Sequence, residues 1–397
     1  MLTLSIDEAR AGMRLAVSIP HPVHPEQDLL TAGYTLDDIV LRKMRELGVT
    51  FLYVDYPALA DLDRALLPQL SPARKAIYGQ IKRSIEAIQR HSRPQASYAA
   101  YYSITRQFVI SIMQQGKEPI YVDDLSLRLG SGAVMHAASV AHISLLLGIG
   151  LEAHIIRQRP RMRHDNAREL LNLGVAGMLH DIGKTELPSH LQTATTLRPP
   201  ESQTDRQLWE AHPQIGYDMI RSDVDPTAAA AVRLHHQRFD GTGFPHHEAD
   251  TPSTNFFEGN RIHVYGRVLF AADLYDRLSF RDDGRRRHTF EVLHLMRARH
   301  DAWLDPEILA ALPRIIPPFP PGMKVQLTDG TKAVVVAASP RAPYTPKVRP
   351  FENDGQTLSG RLIDLASEGD LQVELAVGVP VKPFLPEEQE EVAAVPV

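Results

Sequence analysis

Apolar residues recur at helical spacing through the middle of the chain. From Ser71-Pro72, which is typical of a helix N-terminus, to about residue 310, the pattern predicts helices joined by polar loops. The longest apolar run, residues 140–156, is interrupted by polar side chains and falls short of the ~18 apolar residues of a membrane span. The sequence therefore predicts a largely helical middle section with no membrane-spanning segment.

The two ends of the chain follow other patterns. Residues 1–70 combine short apolar runs that predict strands with one amphipathic segment, residues 35–49, that predicts a helix ended by Gly48. After the proline-rich residues 313–321, two alternating runs around Asp329-Gly330 predict a β-hairpin. Further strands are expected within residues 358–366 and 371–379.

These patterns predict a mainly α protein with a small α+β domain at its N-terminus and a β-hairpin-rich extension at its C-terminus. The predicted regions are an N-terminal domain (1–70), a connecting helix (71–96), a helical domain (97–312), a β extension (313–384) and an acidic, disordered tail (385–397).

Composition narrows the chemistry. The chain has 397 residues, of which 43% are hydrophobic and 23% charged, as in ordinary globular proteins. It has no cysteine, which excludes zinc ribbons, Fe–S clusters, thiol nucleophiles and disulfides. A net charge of −5 argues against a polymeric nucleic acid as partner. The N-terminus has no signal-peptide core, so we expect a cytoplasmic protein.

The number and position of the histidines indicate a metal site. The chain has 18 His, and most of them lie between His136 and His263. Because imidazole is the commonest metal ligand in proteins, a His-rich and Cys-free middle section indicates a metal site built from imidazole and carboxylate.

The strongest motif is His180-Asp181-Ile182-Gly183-Lys184, which follows an apolar helix. Adjacent His and Asp at a helix end can both bind metal, and the two oxygens of the Asp carboxylate can bridge two cations. Lys184 can reach an anion near the metals. The alternative is an ordinary capped helix end.

A second motif spans residues 235–245, HHQRFDGTGFP. Asp225-Pro226 predicts the start of a helix that leads to His235 and His236, whose rings can contact one metal cluster. The glycine-rich residues that follow also suit a plain turn.

Three single residues complete the pattern. His136 lies in an apolar helix, where a satisfied core histidine is the alternative to a ligand. His212 is predicted at the start of an amphipathic helix, with Pro213 in its first turn. Asp273 lies in another apolar helix, where its carboxylate needs a metal or a partner such as Arg277 or Arg267.

The order of these blocks resembles the HD-GYP subgroup of the HD metal-dependent phosphohydrolase superfamily. The family pattern is a first His, HDxGK, HP, HHxxxDGxGYP and an AD in an apolar helix. It is matched here by His136; His180, Asp181, Gly183 and Lys184; His212 and Pro213; His235, His236, Asp240, Gly241, Gly243, Phe244 and Pro245; Ala272 and Asp273. The N-terminal segment is also similar to the small domain that often precedes HD-GYP in bacterial signalling proteins.

The resemblance implies an all-helical HD-GYP domain that hydrolyses cyclic di-GMP to pGpG, and in some members on to GMP. It implies two divalent ions, with Fe or Mn favoured over Ni, Co or Zn, that share a bridging hydroxide. The implied ligands are His136, His180, Asp181, His212, His235, His236 and Asp273, with Asp181 as bridge and Lys184 as the second catalytic residue. Substrate contacts are expected from Lys184, Asp240, Gly241, Gly243, Phe244, Pro245, Asp276, Arg281 and Arg285.

The sequence departs from the family at several positions. Phe244 replaces the Tyr of GYP, Gln237 replaces an acidic residue, and Gly132 lies where members with a third metal are expected to supply a carboxylate. We therefore expect two metals rather than three. Arg281 and Arg285 stand where members usually carry an RPY-type segment. The basic residues 157–165, RQRPRMRHD, predict a surface loop that either covers the site or faces away from it.

Two alternatives stay open at this stage. A catalytically weak or silent relative would act as a cyclic-dinucleotide sensor or protein-interaction module, and would usually lose a ligand. A different HD phosphohydrolase, acting on another nucleotide, would have no need of the residues 235–245 motif. A homodimer and signalling protein partners are both compatible with the resemblance.

Overall fold

Helices form the middle of the chain and strands form its two ends in the computed structural model. The structure describes residues 1–21, 24, 27–59, 76–77, 79–83, 86, 98–113, 132–192, 200–246, 257–352 and 357–386. The helices are α1 (Asp38–Glu46), α2 (Tyr98–Met113), α3 (Gly132–Gly150), α4 (Glu152–Gln158), α5 (His164–Ala167), α6 (Leu171–Leu179), α7 (Ser189–Gln192), α8 (Gln203–Ile220), α9 (Pro226–Leu234), α10 (Val264–Leu278), α11 (Thr289–His300) and α12 (Pro306–Ile315).

Helix α3 is the central helix of the middle section and packs against α6, α10 and α12. It is apolar on nearly every face, as expected for a helix surrounded by protein. Within the described residues it is also the one helix long and apolar enough to cross a membrane, but 78% of its apolar window is buried inside the fold. Its sequence is therefore explained by burial in the core.

Capping residues set where the helices begin. Asp225 accepts a hydrogen bond from the Thr227 N–H and Pro226 occupies the first position of α9, as predicted. Helix α8 begins after Ser202, whose side chain caps it by accepting from the Asp205 N–H. The prediction that this helix begins at His212 is wrong. His212 and Pro213 lie in its second half, because the capping signal is ten residues upstream of His212.

Strands at the two ends form separate sheets. The strands are β1 (Leu2–Ser5), β2 (Ile19–Pro20), β3 (Asp28–Leu30), β4 (Phe51–Val54), β5 (Lys324–Leu327), β6 (Lys332–Ala337), β7 (Lys347–Pro350), β8 (Ile363–Asp364), β9 (Val373–Ala376) and β10 (Val379–Pro380). The last six form one sheet in the order β10-β9-β5-β6-β7-β8. The predicted hairpin is confirmed as β5–β6, and Gly330 at its turn has a φ of +85°, which favours glycine.

The two ends of the chain share one apolar cluster. The Thr3 N–H of β1 donates to the Gly322 carbonyl at 2.7 Å, and β1 lies beside β5. Side chains from residues 1–59 and 319–381 form this cluster together with Phe290 of α11. The described parts of the N-terminal domain and of the β extension, which the sequence predicts separately, therefore share one core.

Two predicted segments lie largely outside the described residues. The predicted helix start, Ser71-Pro72, lies outside them, and so does the acidic tail from residue 387 onward. The described part of the connecting segment, residues 76–77, 79–83 and 86, is helical. Ile77 and Ile81 are buried in the core of the helical section.

Candidate metal centre

Five segments of the helical section bring imidazole and carboxylate groups to one place. They are α3, the end of α6, the middle of α8, the end of α9 and α10. The side chains form two groups whose candidate ligand atoms lie within 4.8 Å of one another: Asp181, His212, His235 and His236 in one, and His136, His180 and Asp181 in the other. Asp181 belongs to both groups, which is the arrangement that a bridging carboxylate requires.

Backbone carbonyls orient three of the imidazole rings. Nδ1 of His180, His212 and His235 each donates to the carbonyl of the residue three positions earlier. The acceptors are Gly177, Trp209 and Val232, at 2.9, 2.5 and 2.6 Å. Because a carbonyl can only accept, Nδ1 carries the proton and Nε2 presents a lone pair. All three Nε2 atoms are therefore prepared to bind a cation.

Local sequence explains why these carbonyls are available. His180 and His235 are the C-cap residues of α6 and α9, where the last carbonyls lack partners within the helix. His212 lies inside α8, but Pro213 has no N–H to donate to the Trp209 carbonyl four residues earlier. The His212 ring takes that carbonyl instead. The His212-Pro213 pair thus orients an imidazole ring in the middle of a helix.

A carboxylate orients the fourth ring. His136 Nδ1 lies 2.6 Å from Asp276 Oδ2, while its Nε2 lies 2.9 Å from Asp273 Oδ1. A carboxylate behind a ligating histidine fixes the tautomer and makes the imidazole a better ligand. Asp276 is buried behind His136, and the substrate contact predicted for it from the sequence stays a prediction.

Asp276→Asn keeps a hydrogen-bond acceptor behind His136 but removes its charge. We expect metal affinity to fall by about 10- to 100-fold, because the partner of a ligating histidine tunes that ligand. Competition with a chelator measures the affinity. Asp283→Asn, which changes an exposed carboxylate in the next loop, is the matched control. Equal affinities for the two variants would contradict the role of Asp276.

The inward-facing atoms of the two groups converge at short distances. Nε2 of His136 lies 3.2 Å from Nε2 of His180, and Nε2 of His212 lies 3.3 Å from Nε2 of His235. Asp181 Oδ1 lies 3.2 Å from His212 Nε2, and its Oδ2 lies 3.5 Å from His180 Nε2. With the protons on Nδ1, the Nε2 lone pairs and the carboxylate oxygens would repel one another at such distances. A divalent cation in each group would relieve this repulsion, so the residues fit two ions.

Burial and neighbouring charges set the protonation states that metal ligands need. Burial lowers the pKa of His212 to about 3 and also lowers the pKa values of His235 and His236. Burial would raise the pKa of Asp181, but Lys184 and His180 hold it well below its ordinary value. Neutral imidazoles beside an ionised carboxylate are the ligand forms that bind metal. For His180, burial would lower the pKa, yet Asp181 raises it, so metal binding there displaces a proton.

Two buried cations accompany the carboxylates. Lys184 Nζ donates to Asp181 Oδ2 at 2.7 Å. Arg277 Nε lies 2.8 Å from both oxygens of Asp273 and pairs with that carboxylate. Burial would lower the pKa of Arg277, but Asp273 and Asp181 raise it above its ordinary value. From the sequence, Arg277 is expected only as an ion-pair partner; the structure also places its Nη2 3.6 Å from Asp181 Oδ2.

Comparison with known proteins matches this part of the chain to a family. Residues 152–308 match the model of the HD domain. This part of the chain is an HD domain. His136, on α3, lies before the matched residues and completes the cluster from outside them.

Two relatives of this chain are named as cyclic di-GMP phosphodiesterases. The chain is 26% identical over 354 residues to cyclic di-GMP phosphodiesterase PA4108 of Pseudomonas aeruginosa, covering 80% of this chain and 78% of that protein. It is 26% identical over 152 residues to the cyclic di-GMP phosphodiesterase response regulator RpfG of Xanthomonas campestris, covering 37% and 36% of the two chains. A solved structure, an HDG"Y"P protein from Bdellovibrio bacteriovorus, aligns with 78% of this chain and 96% of its own at 13% identity and a TM-score of 0.40.

The loop after His236 folds back onto the side chain of His236, one of the candidate metal ligands. The Phe244 ring stacks on the His236 ring, with centroids 4.5 Å apart and planes 27° apart, and Trp209 contacts both rings. A Cβ on Gly243 would lie 2.3 Å from the His236 carbonyl oxygen, so only glycine allows this approach. Phe244 and Gly243 thus hold His236, whereas the sequence predicts them as substrate contacts. Trp209 was missed, although it lies one helical turn before His212.

The rest of this loop forms a turn. Asp240 is exposed and accepts from the N–H and the hydroxyl of Thr242. Gly241 adopts a φ of +76°, and the Pro245 carbonyl accepts from the Gln237 side chain. These contacts shape the loop, and the substrate roles of Asp240, Gly241 and Pro245 stay predictions.

The basic side chains singled out in the sequence are engaged elsewhere. Arg281 pairs with Glu291, and Arg285 pairs with Asp283 at the surface. In the basic segment 157–165, Arg159 is buried and donates to the Ala167 carbonyl and the Tyr265 hydroxyl, while Arg157 pairs with Glu307. The expectation of a loop is wrong for both ends of this segment, since residues 157–158 end α4 and residues 164–165 begin α5. Its contacts hold helices together and give no support to a lid.

Gly183 allows the 3₁₀ turn Ile182–Glu186 to lie against α8. A Cβ at this position would lie 2.1 Å from the His212 carbonyl oxygen and 2.5 Å from the Gly216 nitrogen. Gly183→Ala should therefore push the turn from α8, separating Asp181 from His212. We expect a loss of about 1–3 kcal/mol in stability, typical of overpacking, together with weaker metal binding.

Thermal unfolding and metal titration of the Gly183→Ala variant measure both effects. Gly360→Ala is the control, because a Cβ there has no neighbour within 4 Å among the described residues. An unchanged melting temperature and metal affinity for Gly183→Ala would show that the turn does not depend on glycine.

Proposed function

We propose that this chain is a metal-dependent phosphodiesterase that hydrolyses cyclic di-GMP to pGpG. One observation carries the proposal: two groups of inward-facing ligands share Asp181, each of whose oxygens faces one group. The names of two relatives supply the substrate. We place the catalytic unit within residues 97–312, which include His136 as well as the matched HD domain.

The ligand set suits two divalent transition metals. Imidazole and carboxylate without thiolate suit Fe, Mn, Ni or Co, and the family resemblance favours Fe or Mn. Bound ions would supply a shared hydroxide nucleophile at neutral pH and Lewis acidity toward a phosphoryl oxygen.

The chain's own residues have distinct tasks in this proposal. Asp181 fixes the separation of the two ligand groups, and the carbonyl-bound rings of His180, His212 and His235 keep their Nε2 lone pairs inward. Asp276 holds the tautomer of His136. Lys184 places a positive charge beside the bridging carboxylate, where it can stabilise charge that develops on the phosphoryl group.

Turnover of cyclic di-GMP by the metal-loaded full chain tests the proposal. The protein is purified without oxygen, loaded with Fe or Mn, and supplied with cyclic di-GMP, 3′3′-cyclic GMP-AMP or linear nucleotides in parallel. We expect metal-dependent formation of pGpG, and the same assay shows whether GMP follows. Binding of cyclic di-GMP without turnover by fully loaded protein would favour the sensor alternative. Hydrolysis of a linear nucleotide but not of cyclic di-GMP would favour a different HD phosphohydrolase.

A further inference from the structure

Arg277 combines burial with incomplete hydrogen bonding. It lies one helical turn after Asp273 on α10, is 5% exposed, and uses Nε to pair with both oxygens of that carboxylate. Its terminal nitrogens, Nη1 and Nη2, are also buried, and neither has a hydrogen-bond acceptor among the described residues. Buried charged donors without acceptors are costly. An acceptor from outside the protein is therefore expected at this guanidinium.

Arg267, on the same helix, shows what a purely structural arginine looks like in this protein. It is 3% exposed, so its burial matches that of Arg277. Its Nε donates to the Ile262 carbonyl, Nη1 donates to Asn260 and Asp305, and Nη2 donates to Gln158. Every side-chain nitrogen of Arg267 has an acceptor within the fold, whereas two nitrogens of Arg277 have none among the described residues.

The surroundings of Arg277 indicate the charge of that acceptor. Its Nη2 lies 3.6 Å from Asp181 Oδ2, beyond hydrogen-bonding distance. The same oxygen accepts from Lys184 Nζ at 2.7 Å. Two buried cations thus flank one carboxylate oxygen at the metal centre. Asp181, Asp273 and Asp276 offset these two cations, but with two divalent ions bound the positive charge would exceed that of the three carboxylates, so an anion would be favoured there.

We propose that Arg277 binds a nonbridging phosphoryl oxygen of the substrate through Nη1 and Nη2, beside Lys184. The planar guanidinium fork suits phosphate geometry better than a point charge does. The ligand class is a phosphate ester, and the inference rests on the proposed function only in treating this site as the place of phosphodiester binding. Arg277 is then a substrate-binding residue in addition to being the partner of Asp273.

Inorganic phosphate serves as the probe, because its binding does not require turnover. Calorimetric titration of metal-loaded full chain compares wild type with Arg277→Met, Arg277→Lys and the matched control Arg267→Met, with metal content measured in the same samples. We expect the phosphate dissociation constant to rise at least about tenfold in Arg277→Met and about threefold in Arg277→Lys, since charge-assisted contacts are lost in whole or in part. Metal content should be retained, and Arg267→Met should bind phosphate like wild type.

Phosphate binding within twofold of wild type in metal-loaded Arg277→Met would overturn the proposal. If this variant loses metal, Arg277→Lys decides, because it keeps a positive charge beside Asp273. Weaker binding at full metal content then supports the proposal and unchanged binding overturns it. Loss of metal in both variants would restrict Arg277 to holding Asp273 and would also overturn it. A wild type that binds phosphate through Arg277 but never hydrolyses cyclic di-GMP would contradict only the proposed function.

Discussion

Asp181→Asn is expected to lose bound metal and, with it, hydrolysis. Asp181 is the one residue common to both ligand groups, and its two oxygens face different groups. An amide offers one weak oxygen ligand, and its N–H groups would donate to the inward Nε2 atoms that should bind the ions. We expect metal to fall from about two ions per chain to fewer than one, and turnover to fall by about 1000-fold or more. Elemental analysis and a cyclic di-GMP assay on the same sample measure both.

Asp218→Asn on α8 is the matched control for this substitution. Asp218 is half exposed and contacts Gln214 and Arg221 at the surface. The control should retain metal and activity. Full metal content in Asp181→Asn would show that this carboxylate is not a bridge.

Lys184→Met should lower turnover while leaving the metals in place. The Lys184 ammonium lies on the bridging carboxylate, and its burial lowers its pKa. Methionine keeps the apolar stem and removes the charge. Loss of one preorganised electrostatic contact typically costs about 100-fold in kcat, and we expect a loss of that order with metal content unchanged.

Two measurements separate this role from a structural one. Metal analysis of Lys184→Met shows whether Asp181 is still held in place, and Lys347→Met controls for removal of a lysine paired at the surface. If metal and turnover are lost together in Lys184→Met, the lysine supports the ligand rather than the reaction.

Much of the candidate site could be anticipated from the sequence because its residues stand at recognisable positions. His180 and His235 each stand at the end of an apolar helix. Gly183 follows the first of these ends, and Asp225-Pro226 marks the start of the helix that leads to the second. Asp273 stands out as a charge inside an apolar helix. The middle of the chain is helical and its ends carry strands, as the periodicities indicate.

Other features depend on contacts that periodicity does not contain. Asp276 meets His136 across 140 positions of the chain, so its orienting role has no local signal. Arg277, four residues after Asp273, has the spacing of an ordinary helical ion pair, and only its unsatisfied nitrogens distinguish it. The glycine-rich sequence around Phe244 is typical of an exposed turn, yet the Phe244 ring stacks on the His236 ring. The shared apolar cluster of the two chain ends likewise follows from pairing between Thr3 and Met323, which are distant in sequence.

The most direct test of the central claim is the number of divalent ions bound by the full chain purified without oxygen. Elemental analysis should give about two ions per chain, because two ligand groups share Asp181. The same preparation should convert cyclic di-GMP to pGpG, and stripping the ions should stop the reaction until metal is restored. A protein that binds no metal under these conditions, even after incubation with Fe or Mn, would contradict the assignment of this cluster as a metal centre.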